Sequence, residues 1–177
     1  MHGQSFLNEY FRRHWLSSAD AFTYSGYQAI ATKIQPHELV LDVGCGRNPF
    51  RSLLPHVTGV DPAFEEADYR CTIEQFTPTQ LYDVALCLGS INFGDDHVIH
   101  RQIAKVMDCL KPQARVYWRL NPGRQDHASS MCEQIDFYPW THERLRELAV
   151  YHGFEQRNEQ VEGNGRVQRL YAEWHRQ

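Results

Sequence analysis

The stretch that most constrains this chain is Leu39-Val40-Leu41-Asp42-Val43-Gly44-Cys45-Gly46-Arg47-Asn48-Pro49. An apolar run with β-branched Val contains one acid and ends in a glycine-rich turn. A short, continuous apolar run is the pattern of a parallel strand buried on two faces, and the turn marks its carboxyl end. Gly44 and Gly46 have no Cβ, so the backbone there can turn tightly and approach a ligand closely. Open α/β sheets bind ligands at the carboxyl ends of their strands, near the point where strand order reverses. The stretch therefore predicts an α/β fold with a ligand loop starting at Gly44.

Downstream, Val57-Thr58-Gly59-Val60-Asp61-Pro62 reads as a short second strand ending in an acid. It lies about 20 residues past the first strand, where dinucleotide folds place the carboxylate that binds ribose hydroxyls. An aspartate before proline is also an ordinary turn residue. Paired with the glycine loop, Asp61 reads as the ribose carboxylate. A nicotinamide fold would need G-x-G-x-x-G, with a third glycine for helix packing and a pyrophosphate on the helix N-terminus. Here Arg47, Asn48 and Pro49 follow Gly46, and Asp42 would repel a pyrophosphate. An acid at that place suits a ligand bearing an amine or a sulfonium. The Tyr-x-x-x-Lys and zinc patterns of nicotinamide oxidoreductases are missing too.

On these residues the chain resembles the class I S-adenosylmethionine-dependent methyltransferases. Their first motif is an acid followed by glycines at alternating positions; Asp42, Gly44 and Gly46 match it, and Asn48 stands at the third small position. Asn tolerates left-handed backbone better than most residues, so the turn can survive there. The resemblance implies S-adenosylmethionine as cofactor and S-adenosylhomocysteine as product. It places Asp42, Gly44, Cys45 and Gly46 at the amino-acid end of the cofactor, and Asp61 with Pro62 at the ribose. By the same resemblance an acid after the third strand would read adenine. Thr72 holds that place here, with Ile73 as the apolar neighbour, so backbone groups near Ile73 take over that task. Leu88 and Gly89 would lie near the sulfonium.

The chain has 177 residues, 42% of them apolar and 12% aromatic, which is a globular composition with enough length for one core. No apolar run approaches the roughly 20 residues that span a bilayer, and no signal peptide is visible. Net charge is −4, which disfavours a generic nucleic-acid binder. The five cysteines (Cys45, Cys71, Cys87, Cys109 and Cys132) form no C-x-x-C pair and read as reduced thiols, an expectation of a cytoplasmic location.

The remaining pattern completes a single doubly wound, mostly parallel seven-stranded sheet with helices on both faces and a C-terminal antiparallel hairpin. Residues 1–36 form a helical cap, with helices at 5–16, where Ser5 can cap, and at 27–34. Residues 37–120 form the cofactor-binding core: a short helical turn after the glycine loop, a third strand at 69–72, a fourth at 82–88, a helix capped by Asp95 or Asp96 and running to Leu110, and a fifth strand at 115–120. Residues 121–140 are a loop rich in charges and aromatics, read as an acceptor-side lid. Residues 141–177 hold a last helix capped by Thr141 and two strands joined at Gly163-Asn164-Gly165, a hairpin signal. The family's DNA-adenine enzymes carry an Asn/Asp-Pro-Pro-aromatic motif after the fourth strand; Gly89-Ser90-Ile91-Asn92-Phe93 does not match it.

Methyl transfer from a sulfonium asks mainly for proximity and orientation, with a base only where the acceptor must lose a proton. Candidate bases are His97, His127 and Tyr138, while His97 and His100 at helical spacing read as a solvated face and no metal is expected. Tyr24, Asn92, Arg119, Arg124, Tyr138 and Trp140 are the candidate acceptor contacts, since Arg forks suit carboxylate or phosphate. The expectation is a methyltransferase acting on a small molecule; the alternative is a regulatory or scaffold module that binds the cofactor without transfer. The sequence specifies neither the acceptor nor the oligomeric state.

Overall fold

The computed structural model describes residues 3–14, 22–122, 133–163 and 167–176. Helix α1 (Gln4–Arg13) begins at Gly3, which offers no side-chain cap, so Ser5 lies inside the helix and not at its start. Helix α2 (Tyr27–Ala31) is shorter than its apolar spacing suggests. After Ala31 the chain tightens to i→i+3 bonds, Lys33 N–H to Ile30 C=O and Ile34 N–H to Ala31 C=O. Strand β1 (Val40–Val43) is buried throughout, as its apolar run requires. A single 3-10 turn, Pro49–Ser52, follows the glycine loop, and strand β2 (Val57–Val60) comes next.

Strand β3 (Tyr82–Leu88) leads into α3 (Asp96–Asp108), where Asp95 accepts from Val98 N–H at 3.0 Å. Strand β4 (Leu110–Leu120) starts earlier than expected: Leu110 already pairs with Tyr82, and a register shift before Val84↔Arg115 absorbs Pro112, which has no N–H for the ladder. Helix α4 (His142–Tyr151) is capped by Thr141, whose hydroxyl accepts from Arg144 N–H. Strands β5 (Phe154–Gly163) and β6 (Gln168–Arg176) pair as an antiparallel hairpin.

The strands form one mixed sheet in the order β2-β1-β3-β4-β6-β5. Pairs β1–β2, β1–β3 and β3–β4 are parallel; β4–β6 and β5–β6 are antiparallel. The described residues thus hold six strands, not seven. The expected strand at 69–72 contributes a single parallel bridge, Val60↔Tyr69. Tyr69 N–H donates to Gly59 C=O and its C=O accepts from Asp61 N–H, and the chain then folds into a turn in which Phe76 N–H donates to Thr72 C=O. That local turn uses the groups a longer strand would need.

Alternate strand residues fall into two core clusters. Leu41, Val43, Ala85, Cys87, Val116 and Trp118 share one with Ile99 and Ile103 of α3 and Leu145 and Leu148 of α4. Val40, Val84, Leu86 and Tyr117 share the other with Ile30 of α2 and Phe50 of the 3-10 turn. Trp118 and Trp174, with ring centroids 4.7 Å apart, fill the first cluster between β4 and β6. Helix α1 joins neither. Its Tyr10 packs with Ile135, Phe93 and Phe137 in a separate cluster at the carboxyl edge of the parallel strands.

Candidate functional site

Strand order reverses beside β1, whose neighbours are β2 on one side and β3 on the other. The glycine loop starts at that point. Gly44 (φ +70°), Gly46 (φ +56°) and Asn48 (φ +56°) take left-handed backbone, so Asn48 does at the third position what a glycine would otherwise do. The loop is fastened to β2: Gly44 N–H donates to Val60 C=O at 2.7 Å, and Gly46 N–H donates to Asp61 Oδ2 at 2.9 Å. Asp61 Oδ1 accepts from Ala63 N–H at 2.7 Å and from Phe64 N–H at 3.3 Å. Asp61 therefore organises two loops before any ligand is considered. Asn48 Nδ2 bonds Asp68 Oδ2, which also accepts from Gly59 N–H at 2.8 Å. A Cβ on Gly59 would lie 2.7 Å from both Asn48 Nδ2 and Cys45 Sγ, so a side chain there would have to displace the loop side chains that fasten it.

The electrostatics of this edge are set by burial. Burial, then the charge of Asp61, pushes the Asp42 carboxyl up to about 7, against the pull of Arg119. Burial also raises Asp61, opposed by its three backbone donors. The Cys45 thiol is pushed up by burial and by the neighbouring acids, so it is an inert thiol here. Arg119 is held by Ser25 C=O at 2.9 Å and Leu88 C=O at 2.8 Å. Burial lowers its pKa, while Tyr27, Glu162 and Asp42 favour its charge. Arg169 on β6 is lowered to about 10 by burial and by the charge of Arg119.

A cavity of about 800 Å³ opens at this edge. Of the sequence candidates, Gly44, Cys45, Gly46, Asp61, Pro62, Thr72, Ile73, Leu88, Gly89 and Arg119 line it. Asp42 does not; it is buried within β1, behind the wall. Tyr24 stacks on Tyr171 and lies outside the cavity, as does the exposed His97 on α3. Asn92 is buried beneath the wall, with its Oδ1 accepting from Asn121 N–H at 2.8 Å. Tyr138 and Trp140 are buried braces. Tyr138 O–H donates to Asp96 and accepts from Arg144 Nε, and Trp140 Nε1–H donates to Ile91 C=O at 2.8 Å. Arg124 and His127 lie outside the described residues.

The lining also holds residues the sequence reading passed over. Phe6, Leu7 and Phe11 of α1 close one side, with Phe93, Gln134 and Ile135. Phe22, Tyr27 and Arg169 lie on the side of Arg119. The signal for Arg169 is period-two alternation in β6: Leu170, Ala172 and Trp174 face one core cluster, so a charge at 169 falls on the opposite face. The helix pattern of α1 shows an apolar stripe, but not what that stripe covers.

The chain matches no family model and no curated protein in sequence. Among solved structures it is similar to 1,6-didemethyltoxoflavin-N1-methyltransferase of Burkholderia thailandensis, bound to 1,6-didemethyltoxoflavin and S-adenosylhomocysteine, with a TM-score of 0.70 at 16% identity over 97% of this chain and 88% of that one. The magnesium protoporphyrin IX methyltransferase of Synechocystis with bound S-adenosylmethionine gives 0.71 at 14% identity, covering 100% and 98%. The N-methyltransferase NodS of Bradyrhizobium japonicum, in complex with S-adenosylhomocysteine, gives 0.68 at 12% identity, covering 98% and 97%. The chain has the fold of the class I S-adenosylmethionine-dependent methyltransferases.

Proposed function

We propose that this chain is an S-adenosylmethionine-dependent methyltransferase acting on a small molecule. The observation that carries the reading is the fastening of the glycine loop to Asp61 at the strand-order reversal, on the wall of a cavity of about 800 Å³. That volume lies within the range of small-molecule and cofactor sites. The wall fits the group. A Cβ on Gly46 would meet nothing within 4 Å, and one on Gly89 only Arg119 Nη2 at 4.0 Å, so two glycines leave room that side chains would fill.

When bound, S-adenosylmethionine supplies an electrophilic methyl group on a positively charged sulfur. The backbone of residues 44–46 holds its amino-acid end. Asp61 already accepts three backbone bonds, so of the roughly four that a carboxylate accepts about one would remain for a ribose hydroxyl. Ile73, which lines the cavity, would pack against adenine. Leu88, the last residue of β3, and Gly89 after it line the cavity and would lie near the sulfonium, with Asp42 buried behind the wall. Helix α1 and residues 134–136 bound the opposite side and confine the acceptor. Small acceptors fit this enclosure, and the solved relatives with the same fold include enzymes named for 1,6-didemethyltoxoflavin and magnesium protoporphyrin IX.

Calorimetric titration with S-adenosylmethionine and S-adenosylhomocysteine, with NAD as control, tests the reading. Micromolar binding of the first two alone is expected, and Asp61→Asn should weaken it about tenfold. Binding of NAD, or of none of the three, would remove the reading.

A further inference from the structure

Gln102 on α3 lines the cavity, and its Oε1 is buried with no hydrogen-bond partner among the described residues. A buried acceptor without a partner is costly, and protein interiors leave few of them. Val98, Arg101 and Gln102 all line the cavity, and their spacing of three and four residues puts them on one face of the helix. Ile99 and Ile103, each one residue further on, turn into the core. The ion pair of Arg101 with Glu74 joins the cavity face of α3 to the turn that carries Thr72 and Ile73. That turn follows Tyr69, which bridges to β2, so this end of the cavity belongs to the β2 edge of the sheet. Strands β1 and β3 separate it from β4, which carries Arg119. Other polar groups of the turn are taken. Thr72 N–H and hydroxyl both donate to Gln75 Oε1, at 3.2 and 3.3 Å, and Glu74 is held by Arg101. Gln102 is left with an unused acceptor.

A carboxamide carries an acceptor and a donor side by side, and adenine presents the complement, its N6 amino group beside a ring nitrogen. Gln and Asn bind adenine edges with two hydrogen bonds for that reason. A half turn about the last side-chain bond exchanges the two ends, and that torsion is broad and roughly two-fold, so either oxygen or nitrogen can face the cavity. Ribose contacts from Asp61 and apolar packing on Ile73 do not distinguish one purine from another. A side chain that accepts from N6 does. Resting on the methyltransferase reading, we infer that Gln102 reads the adenine amino group of the cofactor, doing from α3 what an acid at the position of Thr72 would do.

The test compares wild type with Gln102→Leu and Gln102→Glu. Circular dichroism melts show first which variants fold, and Gln102→Met, of similar volume, takes the place of Gln102→Leu if that variant does not. Calorimetry then gives affinities for S-adenosylhomocysteine and for its 6-desamino analogue, in which purine replaces adenine. Wild type should favour S-adenosylhomocysteine about tenfold, the worth of one well-made hydrogen bond. In Gln102→Leu that preference should fall below about twofold, through weaker binding of S-adenosylhomocysteine alone. Gln102→Glu keeps the acceptor and should keep most of the preference. A residue that only braces the wall behaves otherwise: its loss weakens both compounds by the same factor, and that outcome overturns the inference. An undiminished preference in Gln102→Leu overturns it too. So does equal affinity of wild type for the two compounds, a comparison that needs no variant. Failure of wild type to bind either compound is a different result: it removes the methyltransferase reading itself.

Discussion

Two glycines two residues apart do different work. Gly44 has φ +70°, and a Cβ there would lie 2.3 Å from Ser90 Cβ. Gly44→Ala therefore combines left-handed strain with overpacking and should cost about 2–4 kcal/mol in urea unfolding. Gly46 also has positive φ but faces open space. Gly46→Ala should cost only about 1 kcal/mol of stability, yet weaken S-adenosylhomocysteine binding by more than about tenfold, because its methyl group occupies the cradle. Equal affinity in Gly46→Ala and wild type would mean that no ligand approaches the loop. Asp42 gives a pH signature. Its native carboxyl titrates near 7 against an ordinary 3.8, so the folded state holds the proton more tightly than the unfolded state. Stability falls as pH rises from about 4 to about 7, by an amount on the order of 4 kcal/mol, and stays low above that. Asp42→Asn removes this slope. Melting curves at pH 5.5 and 8 should show wild type losing more stability toward pH 8 than the variant.

At the scale of elements, Tyr138 and Trp140 show how an aromatic loop residue becomes a brace. Composition alone makes residues 121–140 look like acceptor contacts. Tertiary packing turns these two inward, where their rings meet at 4.7 Å and Tyr138 ties Asp96 of α3 to Arg144 of α4. Tyr138→Phe should cost about 1–2 kcal/mol, less than the roughly 1.5–3 kcal/mol of a hydrogen bond to a buried charged group because Asp96 is exposed, and leave S-adenosylhomocysteine affinity within about threefold. A tenfold loss of affinity without a change in stability would return Tyr138 to the site. Strands β2 and β3 were legible to the residue because their apolar runs are bounded by turn residues. The run at 69–72 has the same look, but its backbone partners are taken by the turn at Thr72.

Across the whole molecule, α1 is attached unlike the rest. Its Tyr10 and Ile135 form a cluster separate from the two that hold the sheet. A small satellite cluster opens at lower free energy than a shared core. Hydrogen exchange should therefore show α1 amides exchanging at least about tenfold faster than those of β1 and β3. S-adenosylhomocysteine should slow them, since Phe6, Leu7 and Phe11 line the cavity. Exchange of α1 at the rate of the central strands would mean that the helix is part of the main core.

The sequence by itself determined β1, β2 and β3, the cap at Thr141, the glycine loop and the acid after β2, and it narrowed the cap of α3 to Asp95 or Asp96. Each depends on local conformational preference: burial on two faces, a side chain bonding its own helix end, or positive φ. Tertiary structure decided the rest. It turned Asp42 behind the wall and Tyr138 and Trp140 into the core, and it reduced one strand to a bridge. It brought Arg169 beside Arg119 from the far end of the chain and set α1 against residues 134–136. These outcomes depend on contacts between residues distant in sequence, where burial area and the demand for hydrogen-bond partners outweigh any local preference.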